Sequence, residues 1–480
     1  MLPGRRGAAR PTDVLGVLAA LVVRPRRVRG SGSAAQGPRL RVRGSGSAAQ
    51  GPRPVERRRE FRSEGAKAPL VALIAVALIV QKYGGTSVGD PERIKAVADH
   101  IARTARAGNQ VIVAVSAMGK TTDDLIRLAN EVAHDPRGRE MDMLLTAGER
   151  ISIALVSMAV NDLGVPAQSF TGSQAGIVTD TEHGNAKIVE IKGDRIKEAL
   201  DAGNVAIVAG FQGVSTAKEI VTLGRGASDL TAVAMSARFG ADVCEIYTDV
   251  EGVYTADPRI VPNARKLTSI TLEEMLEMAA TGGRVLALRS VEFARNHGVR
   301  MHVRSSFTWA PGTWVVAEEE QSMEQAIISG VTHDTSEAKI TIEQVPDQPG
   351  VAGKVFRALA DEAVNVDMIV QNVSTEGHTD ISFTIPRLDV SRAAPIMEKI
   401  VADIGARGYQ ADDSIARVSL VGAGMKTHPG VAATMFETLA NEHINIEMIS
   451  TSTIRISCVV RESDIERALI ALHDAYQLGV

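Results

Sequence analysis

The sequence predicts an α/β sandwich over a mainly parallel sheet, followed by two copies of a smaller α+β module. Three observations predict it. From Ala77 to about Trp314, short apolar runs alternate with amphipathic helical stretches. The runs at Val111–Val115, Val205–Ala209 and Val243–Thr248 are apolar on both faces, as strands covered by helices on both sides should be. The last third of the chain repeats itself at an offset of 80 residues: Pro349-Gly350-Val351-Ala352 matches Pro429-Gly430-Val431-Ala432.

The elements follow in order. Ala77–Gln81 reads as a strand that ends in glycines. A helix is expected from Pro91, a residue suited to a first helical turn, to Ala107. The strand Val111–Val115 comes next, then helices over about Thr122–His134 and Met141–Leu163, and strands at Val205–Ala209, Ile220–Thr222, Val243–Thr248 and Val299–Arg304. In such a sheet ligands bind at the carboxyl ends of the strands. In the repeat, Phe356, Leu359, Ala360, Glu362, Asn365, Met368 and Ile369 match Phe436, Leu439, Ala440, Glu442, Asn445, Met448 and Ile449. Each copy reads strand, Pro-Gly turn, amphipathic helix, strand. The expected divisions are residues 1–75, 76–318, 335–412 and 415–480.

Composition narrows the function. At 480 residues the chain is too long for one core. Hydrophobic residues make up 45% and charged residues 23%, ordinary for a globular protein, but aromatics are only 3%, which disfavours a base-stacking surface. Net charge is −4, with 15 Arg and one Lys against four acids in residues 1–69, so the remainder carries about −16. An acidic body of this kind argues against a nucleic-acid enzyme, since duplex binding is dominated by phosphate neutralisation. Cys244 and Cys458 lie far apart with no metal-ligand spacing, so they read as reduced core thiols and no residue is assigned to a metal.

Residues 1–75 read as a disordered basic extension. Residues 27–39 and 41–53 are the same thirteen residues, rich in Gly, Ser, Pro and Arg, and cannot bury apolar area. The apolar runs Val14–Val23 and Leu70–Val80 are too short to span a bilayer, which takes about 20 residues. Arg24-Pro25-Arg26-Arg27 stands where a signal peptide would have a small-residue cleavage site. The extension is expected to be an over-long reading of the start, with Val76 at a GTG start codon; N-terminal sequencing of natively expressed protein tests this.

Four segments could carry chemistry. Lys82-Tyr83-Gly84-Gly85-Thr86-Ser87 follows a strand, and its glycines allow backbone amides near a phosphate while Lys82 supplies a charge; a simple tight turn is the alternative. Gly119-Lys120-Thr121 resembles the end of a P-loop, but Ala114 occupies the position where that motif needs glycine. The surrounding Ser116–Asp123 segment can still line the same crevice. Leu223-Gly224-Arg225-Gly226-Ala227-Ser228-Asp229 joins a guanidinium suited to a carboxylate with a hydroxyl and a carboxylate; alternatively, Ser228 or Asp229 caps the next helix. The segment from Tyr247 to Arg259 offers a tyrosine face for a purine and an arginine for phosphate, or is a plain loop.

In this order and at these intervals, KYGGTS, LLTAGERIS, FTGSQAG, VAGFQGV, TLGRGASD and YTDVEGVYTADPRIVPNA resemble the aspartokinase family of the amino-acid-kinase superfamily, from about Val76 to the C-terminus. The actinobacterial, lysine- and threonine-regulated type is the most similar. Each C-terminal copy resembles an ACT domain, a ferredoxin-like βαββαβ unit. The resemblance implies an amino-acid-kinase-like α/β/α sandwich and a cytoplasmic enzyme. Its reaction would be ATP- and Mg²⁺-dependent phosphorylation of the β-carboxylate of L-aspartate to 4-phospho-L-aspartate. That is the first step towards lysine, threonine, methionine and diaminopimelate. The acceptor carboxylate, with a pKa of about 4, is already ionised at neutral pH and needs no general base. Catalysis would rest on in-line positioning and charge neutralisation.

By matching motif, the resemblance assigns Lys82, Arg225 and Asp229 to catalysis. Ser116, Thr122, Glu149, Arg225 and Ser228 would bind aspartate, with Glu149 on the ammonium and Arg225 on the α-carboxylate. Lys82, Gly84, Gly85, Thr248, Asp249, Tyr254, Arg259 and Arg284 would hold ATP. Asp347, Gly350, Ala352, Gln371 and Asn372, with Asn445 and Ile446 from the other copy, would contact threonine; lysine acting with threonine is the usual inhibitor pair. Paired ACT domains imply a homo-oligomer. An internal start near Met323 would instead give an α₂β₂ assembly with a separate regulatory subunit.

Three departures from the family pattern stand out. Ala227 replaces a glycine, which would cost about 1 kcal/mol if the position needs positive φ. Arg284 replaces a lysine, exchanging a point donor for a planar fork, so retained activity with altered ATP affinity is expected. Thr453 stands where the family carries a glutamate, so weaker lysine inhibition is expected. Two other functions compete. Another kinase of the superfamily fits the paired repeat and GRGASD less well. A catalytically inactive amino-acid sensor would not need Lys82, Glu149, Arg225 and Asp229.

Overall fold

The computed structural model describes residues 76–224, 226–308, 310–318, 327–372, 377–426 and 428–479, which belong to one compact unit. The basic extension, Arg225 and Met323 lie outside the described residues.

The first part is a three-layer sandwich. Its strands are β1 (Leu78–Tyr83), β2 (Gln110–Val115), β3 (Ala167–Phe170), β4 (Ile177–Thr179), β5 (Ile188–Ile191), β6 (Val205–Ala209), β7 (Gln212–Ser215), β8 (Ile220–Thr222), β9 (Val243–Thr248), β10 (Ser269–Thr271), β11 (Met301–Ser305) and β12 (Thr313–Val316). Its helices are α1 (Pro91–Arg106), α2 (Thr121–Val132), α3 (Arg139–Asp162), α4 (Asp194–Asp201), α5 (Ala227–Phe239), α6 (Leu272–Ala280) and α7 (Leu288–His297). Eight strands form the central sheet in the order β10-β12-β11-β9-β1-β2-β6-β3, parallel except where β11 meets β12.

Alternation along β2 explains the layers. Val111, Val113 and Val115 enter a core with Ile94 and Ile101 of α1 and Val156 and Val160 of α3. Ile112 and Ala114 enter the opposite core with Ala232–Met235 of α5, Ile196 of α4, and α6 and α7. Local signals start the helices where the chain leaves a turn or strand. The Asp90 side chain accepts from Arg93 N at 2.9 Å ahead of Pro91, and Thr271 with Glu274 forms a capping box on α6. By length and composition α3 could cross a membrane, but Leu145, Ile153, Val156 and Val160 are buried in the protein.

Beyond shifts of one or two residues at element ends, two differences from the sequence reading bear on the site. The first strand runs on to Tyr83, so Lys82 lies on a strand and not in the glycine loop. Pairing on both sides, Lys82 to Ala114 and Ile246 and Tyr83 to Val115 and Tyr247, keeps the backbone extended. The strand Ile220–Thr222 belongs to a separate sheet, β5-β4-β7-β8. Strands of three or four residues are too short to show a period.

The C-terminal part contains β13 (Gly330–Asp334), β14 (Glu337–Pro346), α8 (Val351–Asp361), β15 (Ile369–Gln371), β16 (His378–Pro386), α9 (Val390–Ile404), β17 (Gly408–Asp412), β18 (Ile415–Val421), α10 (Val431–Asn441), β19 (Met448–Thr451), β20 (Arg455–Arg461) and α11 (Ile465–Ala475). Two antiparallel sheets result, β15-β16-β14-β17 and β13-β18-β20-β19. They have the same layout, each with two helices on one face. In the second sheet β13 takes the place that β17 holds in the first, so the second module draws a strand from ahead of the first module. In both copies the Pro-Gly turn places a glycine, Gly350 or Gly430, at positive φ just before the helix, a conformation that favours glycine.

Candidate functional site

The centre of the site is the carboxyl end of β1. Lys82 Nζ lies 2.6 Å from Asp229 Oδ1, with both side chains nearly buried. Asp229 stands in the first turn of α5, whose N-terminus faces this end of the sheet. Beyond Tyr83, Gly84 N donates to Tyr247 O at 3.3 Å, and Gly119 N donates to Gly85 O at 2.9 Å. A Cβ on Gly85 would sit 2.8 Å from Ala117 O and 3.2 Å from Gly119 O, so only glycine lets the loops after β1 and β2 close together. The rejected P-loop resemblance therefore packs beside the glycine cradle after β1, while Lys120 itself is exposed.

A cavity of about 590 Å³ opens next to this cradle. Lys82, Gly85, Ser116, Thr122, Glu149, Ser228 and Asp229 all line it, so seven residues singled out in the sequence converge. Glu149, on α3, is 3% exposed. Its Oε1 accepts from Ala117 N at 3.2 Å, and its Oε2 has no partner among the described residues. Burial pushes its carboxyl up to about 7, against the lowering effect of its backbone hydrogen bonds. Such a group is poised to take a cation from the cavity.

The other residues expected to hold the nucleotide lie elsewhere. Thr248, Asp249, Tyr254, Arg259 and Arg284 do not line the cavity. Thr248 ends β9 beside the cradle: Ser306 N donates to its carbonyl at 2.9 Å, and Ser87 Oγ donates to Ser306 Oγ at 2.9 Å. Thr248 Oγ1 donates to the exposed Asp249 at 3.1 Å. Arg259 is exposed and pairs with Asp257 at 2.6 Å. Arg284 and Arg259 both act on His333, whose imidazole is pushed down first by burial. Of the two tyrosines at the ends of this segment, Tyr247 is buried and stacked on Tyr83 at 4.9 Å, which leaves the half-buried Tyr254 to offer a face.

Beneath the cradle, the sequence reading missed a polar network. Tyr83 Oη lies 2.6 Å from His100 Nδ1, and Tyr247 Oη donates to Glu245 at 3.0 Å. Gln81 Nε2 and Arg304 Nη1 donate to the same carboxylate at 2.9 and 3.0 Å. Burial lowers His100 to about 4, so it is neutral there. Asp142, His183 and Thr222 on the cavity wall were also missed. The only signal for Asp142 was its seven-residue spacing from Glu149, which puts both on one helix face.

The departures resolve differently. Ala227 is the first helical residue of α5, and the positive φ values belong to Gly224 and Gly226. The feared backbone cost at Ala227 therefore does not arise, and neither Ser228 nor Asp229 caps the helix, because Gly226 occupies the N-cap. Cys244 and Cys458 are free and buried, with burial pushing both thiols up to about 12.

In the C-terminal modules, Asp347, Gln371 and Asn372 share one end of the first sheet and are exposed. Gly350 and Ala352 open α8 beside them. Asn445 and Ile446 precede β19 on the other sheet. Thr453 is exposed, and its neighbour Ser452 donates to Glu277 of α6 at 3.1 Å.

Comparisons with known proteins agree with this fold. The amino acid kinase family model matches residues 77–305, and an ACT domain model matches residues 340–399 and 418–476. The aspartokinase of Mycobacterium tuberculosis is 58% identical over 409 residues, 84% of this chain and 97% of that protein. The aspartokinase of Corynebacterium glutamicum is 56% identical over 408 residues, with the same coverage. Among solved structures, E. coli aspartokinase III in complex with aspartate and ADP superposes with a TM-score of 0.73 at 24% identity, covering 83% of this chain and 99% of that one. That match speaks to the fold.

Proposed function

The chain belongs to the aspartokinase family and phosphorylates aspartate, and we propose that the transfer takes place between the Lys82–Asp229 pair and Glu149. Aspartate enters the cavity with its ammonium on Glu149 Oε2, its α-carboxylate on Arg225, and Ser116, Thr122 and Ser228 around it. Its β-carboxylate, ionised at neutral pH, attacks the γ-phosphorus of ATP in line, giving 4-phospho-L-aspartate and ADP. Lys82 neutralises charge on the phosphoryl group in flight, and Asp229 holds that ammonium in place. ATP lies along the glycine cradle, with Thr248, Asp249, Tyr254, Arg259 and Arg284 on its outer side. The cradle at Gly84 and Gly85, closed to any Cβ at Gly85, suits the phosphates. Mg²⁺ would enter with the nucleotide and supply charge neutralisation at its phosphates, and it needs few protein donors because it keeps water and phosphate ligands. The observation that carries the reading is the convergence on one cavity of Lys82, Asp229 and Glu149, whose Oε2 has no partner among the described residues.

A coupled assay with ATP, Mg²⁺ and several acidic amino acids, with and without threonine and lysine, tests it. ADP release with aspartate alone supports the reading, and equal rates with other acceptors overturn it. Threonine and lysine are the proposed effectors at the paired modules, acting as feedback inhibitors of lysine and threonine synthesis, with lysine weakened by Thr453. The cytoplasm, which supplies ATP and keeps Cys244 and Cys458 reduced, is the proposed location. The exposed apolar stripe Ile151, Leu155 and Met158 on α3 supports an oligomer.

The Glu149 carboxyl sets a pH dependence. It must be ionised to bind an ammonium, and in the free enzyme it is ionised only above about 7. Below that, kcat/KM for aspartate is expected to fall about tenfold per pH unit, because this ratio reports free-enzyme groups. Bound ammonium favours the carboxylate, so kcat should hold to lower pH. Glu149→Gln should lower kcat/KM and erase this limb; a limb that survives in the variant belongs to another group.

A further inference from the structure

The cavity wall across from Lys82 is held by a carboxylate that the proposed roles leave unused. Asp142, in the first turn of α3, is 1% exposed. Its Oδ1 accepts from Thr222 Oγ1 at 2.5 Å. Its Oδ2 contacts His183 Nδ1 at 2.6 Å and accepts from Gly184 N at 3.2 Å. A carboxylate is buried this deeply only when such partners fill its lone pairs. The partners come from separate parts of the chain. Asp142 shares a helix face with Glu149, two turns further on, and both line the cavity. Thr222 ends β8, directly ahead of the segment that turns into α5 with Ser228 and Asp229. Arg289 braces the same place from the other side, donating to Leu223 O and Ala186 O, each at 2.7 Å.

We propose that Asp142 is a positioning residue for aspartate: it locks the helix that carries Glu149 to the strand end that leads to Ser228 and Asp229, and so sets the span across which the amino acid is held. His183, anchored through Nδ1, is the third arm of the clamp and lines the same cavity. A substrate gripped at both ends binds more weakly when the span changes, because its two charged ends can no longer be met at once. ATP, bound at the outer side of the cradle, does not depend on this span. The proposal rests on the reading that Glu149 binds the substrate ammonium.

Steady-state kinetics of the full chain test it with Asp142→Asn, Thr222→Val, Thr222→Ser and Glu149→Gln. Asp142→Asn and Thr222→Val should each raise KM for aspartate at least about tenfold, the scale of one buried hydrogen bond to a charged group, and leave KM for ATP unchanged. Thr222→Ser keeps the hydroxyl and should behave as the parent chain. The proposal is overturned if both KM values rise together, or if Thr222→Val matches Thr222→Ser. Should Asp142→Asn fail to fold, the Thr222 pair decides alone. If Glu149→Gln leaves KM for aspartate unchanged, the underlying site reading falls; if it raises KM while the Asp142 and Thr222 variants do not, only the positioning role falls.

Discussion

Lys82→Met is expected to lower kcat by about a thousandfold, at the upper end of what losing one preorganised charge donor costs. The Lys82 side chain is 12% exposed, ion-paired with Asp229, and lies against Gly84, where a Cβ would be 3.4 Å from Nζ. That confinement fixes an ammonium where the migrating phosphoryl group gains charge, with little reorganisation left to make during the reaction. Lys82→Arg should not rescue activity, because a planar fork does not fit a pocket shaped around a point donor. Loss of Lys82 also leaves the Asp229 carboxylate buried without its cation, which destabilises the fold. Adding Asp229→Asn to Lys82→Met should therefore recover melting temperature without recovering kcat. Single-turnover rates and thermal melts of the single and double variants separate the two effects. A kcat within tenfold of the parent for Lys82→Met would remove Lys82 from the mechanism.

Arg417→Ala is expected to cost about 3–5 kcal/mol of stability in the C-terminal part, the typical loss when one partner of a buried ion cluster is removed. Arg417, on β18, is 1% exposed and joins three parts of the molecule. Its guanidinium pairs with Glu337 at 2.8 Å and Asp334 at 3.6 Å, and with Asp367. It also donates to Ala280 O at 2.9 Å, a cation at the carboxyl end of α6. Just beyond, Thr281 and Thr332 share a hydroxyl hydrogen bond of 2.7 Å, and a Cβ on Gly282 would lie 1.9 Å from His333 O. The segment before Arg284 is thus seated directly on β13. The Glu337 carboxyl is already raised, chiefly by burial and against the opposing pull of Arg417. Without Arg417 it should rise further. A carboxyl whose folded pKa exceeds its unfolded value binds protons more readily when folded, so stability is gained as pH falls towards that pKa. The destabilisation should accordingly shrink as pH falls from neutrality towards the ordinary carboxylate range. Urea denaturation across that range, followed by a probe in the C-terminal modules, checks both size and sign. A loss below about 1 kcal/mol, or one that grows at low pH, would refute the account.

Much of the fold was legible because its signals are local. The strands Val205–Ala209 and Val243–Thr248 have the ends read from their apolar runs, and α1 starts at Pro91 as read. The offset of 80 between the two modules reappears in α8 and α10, which begin at Val351 and Val431. The ordered motifs likewise named seven of the residues that line one cavity.

What the sequence could not carry depends on segments that meet only in the folded chain. The small sheet escaped notice because its strands of three or four residues have no period and are stabilised by partners far along the chain. The place of β13 in the second module's sheet is a pairing of Gly330–Asp334 with Arg417–Val421 across the whole first module. Asp142 and Arg417 are charged residues that a linear reading places at the surface; burial, and the partners that make burial tolerable, came from distant elements. Periodicity, caps and motifs thus determined the elements, their order and the chemistry by residue type. Desolvation and long-range pairing, which depend on what lies across a contact, decided which carboxylate is raised, which glycine is obligatory and which charge holds the domains together.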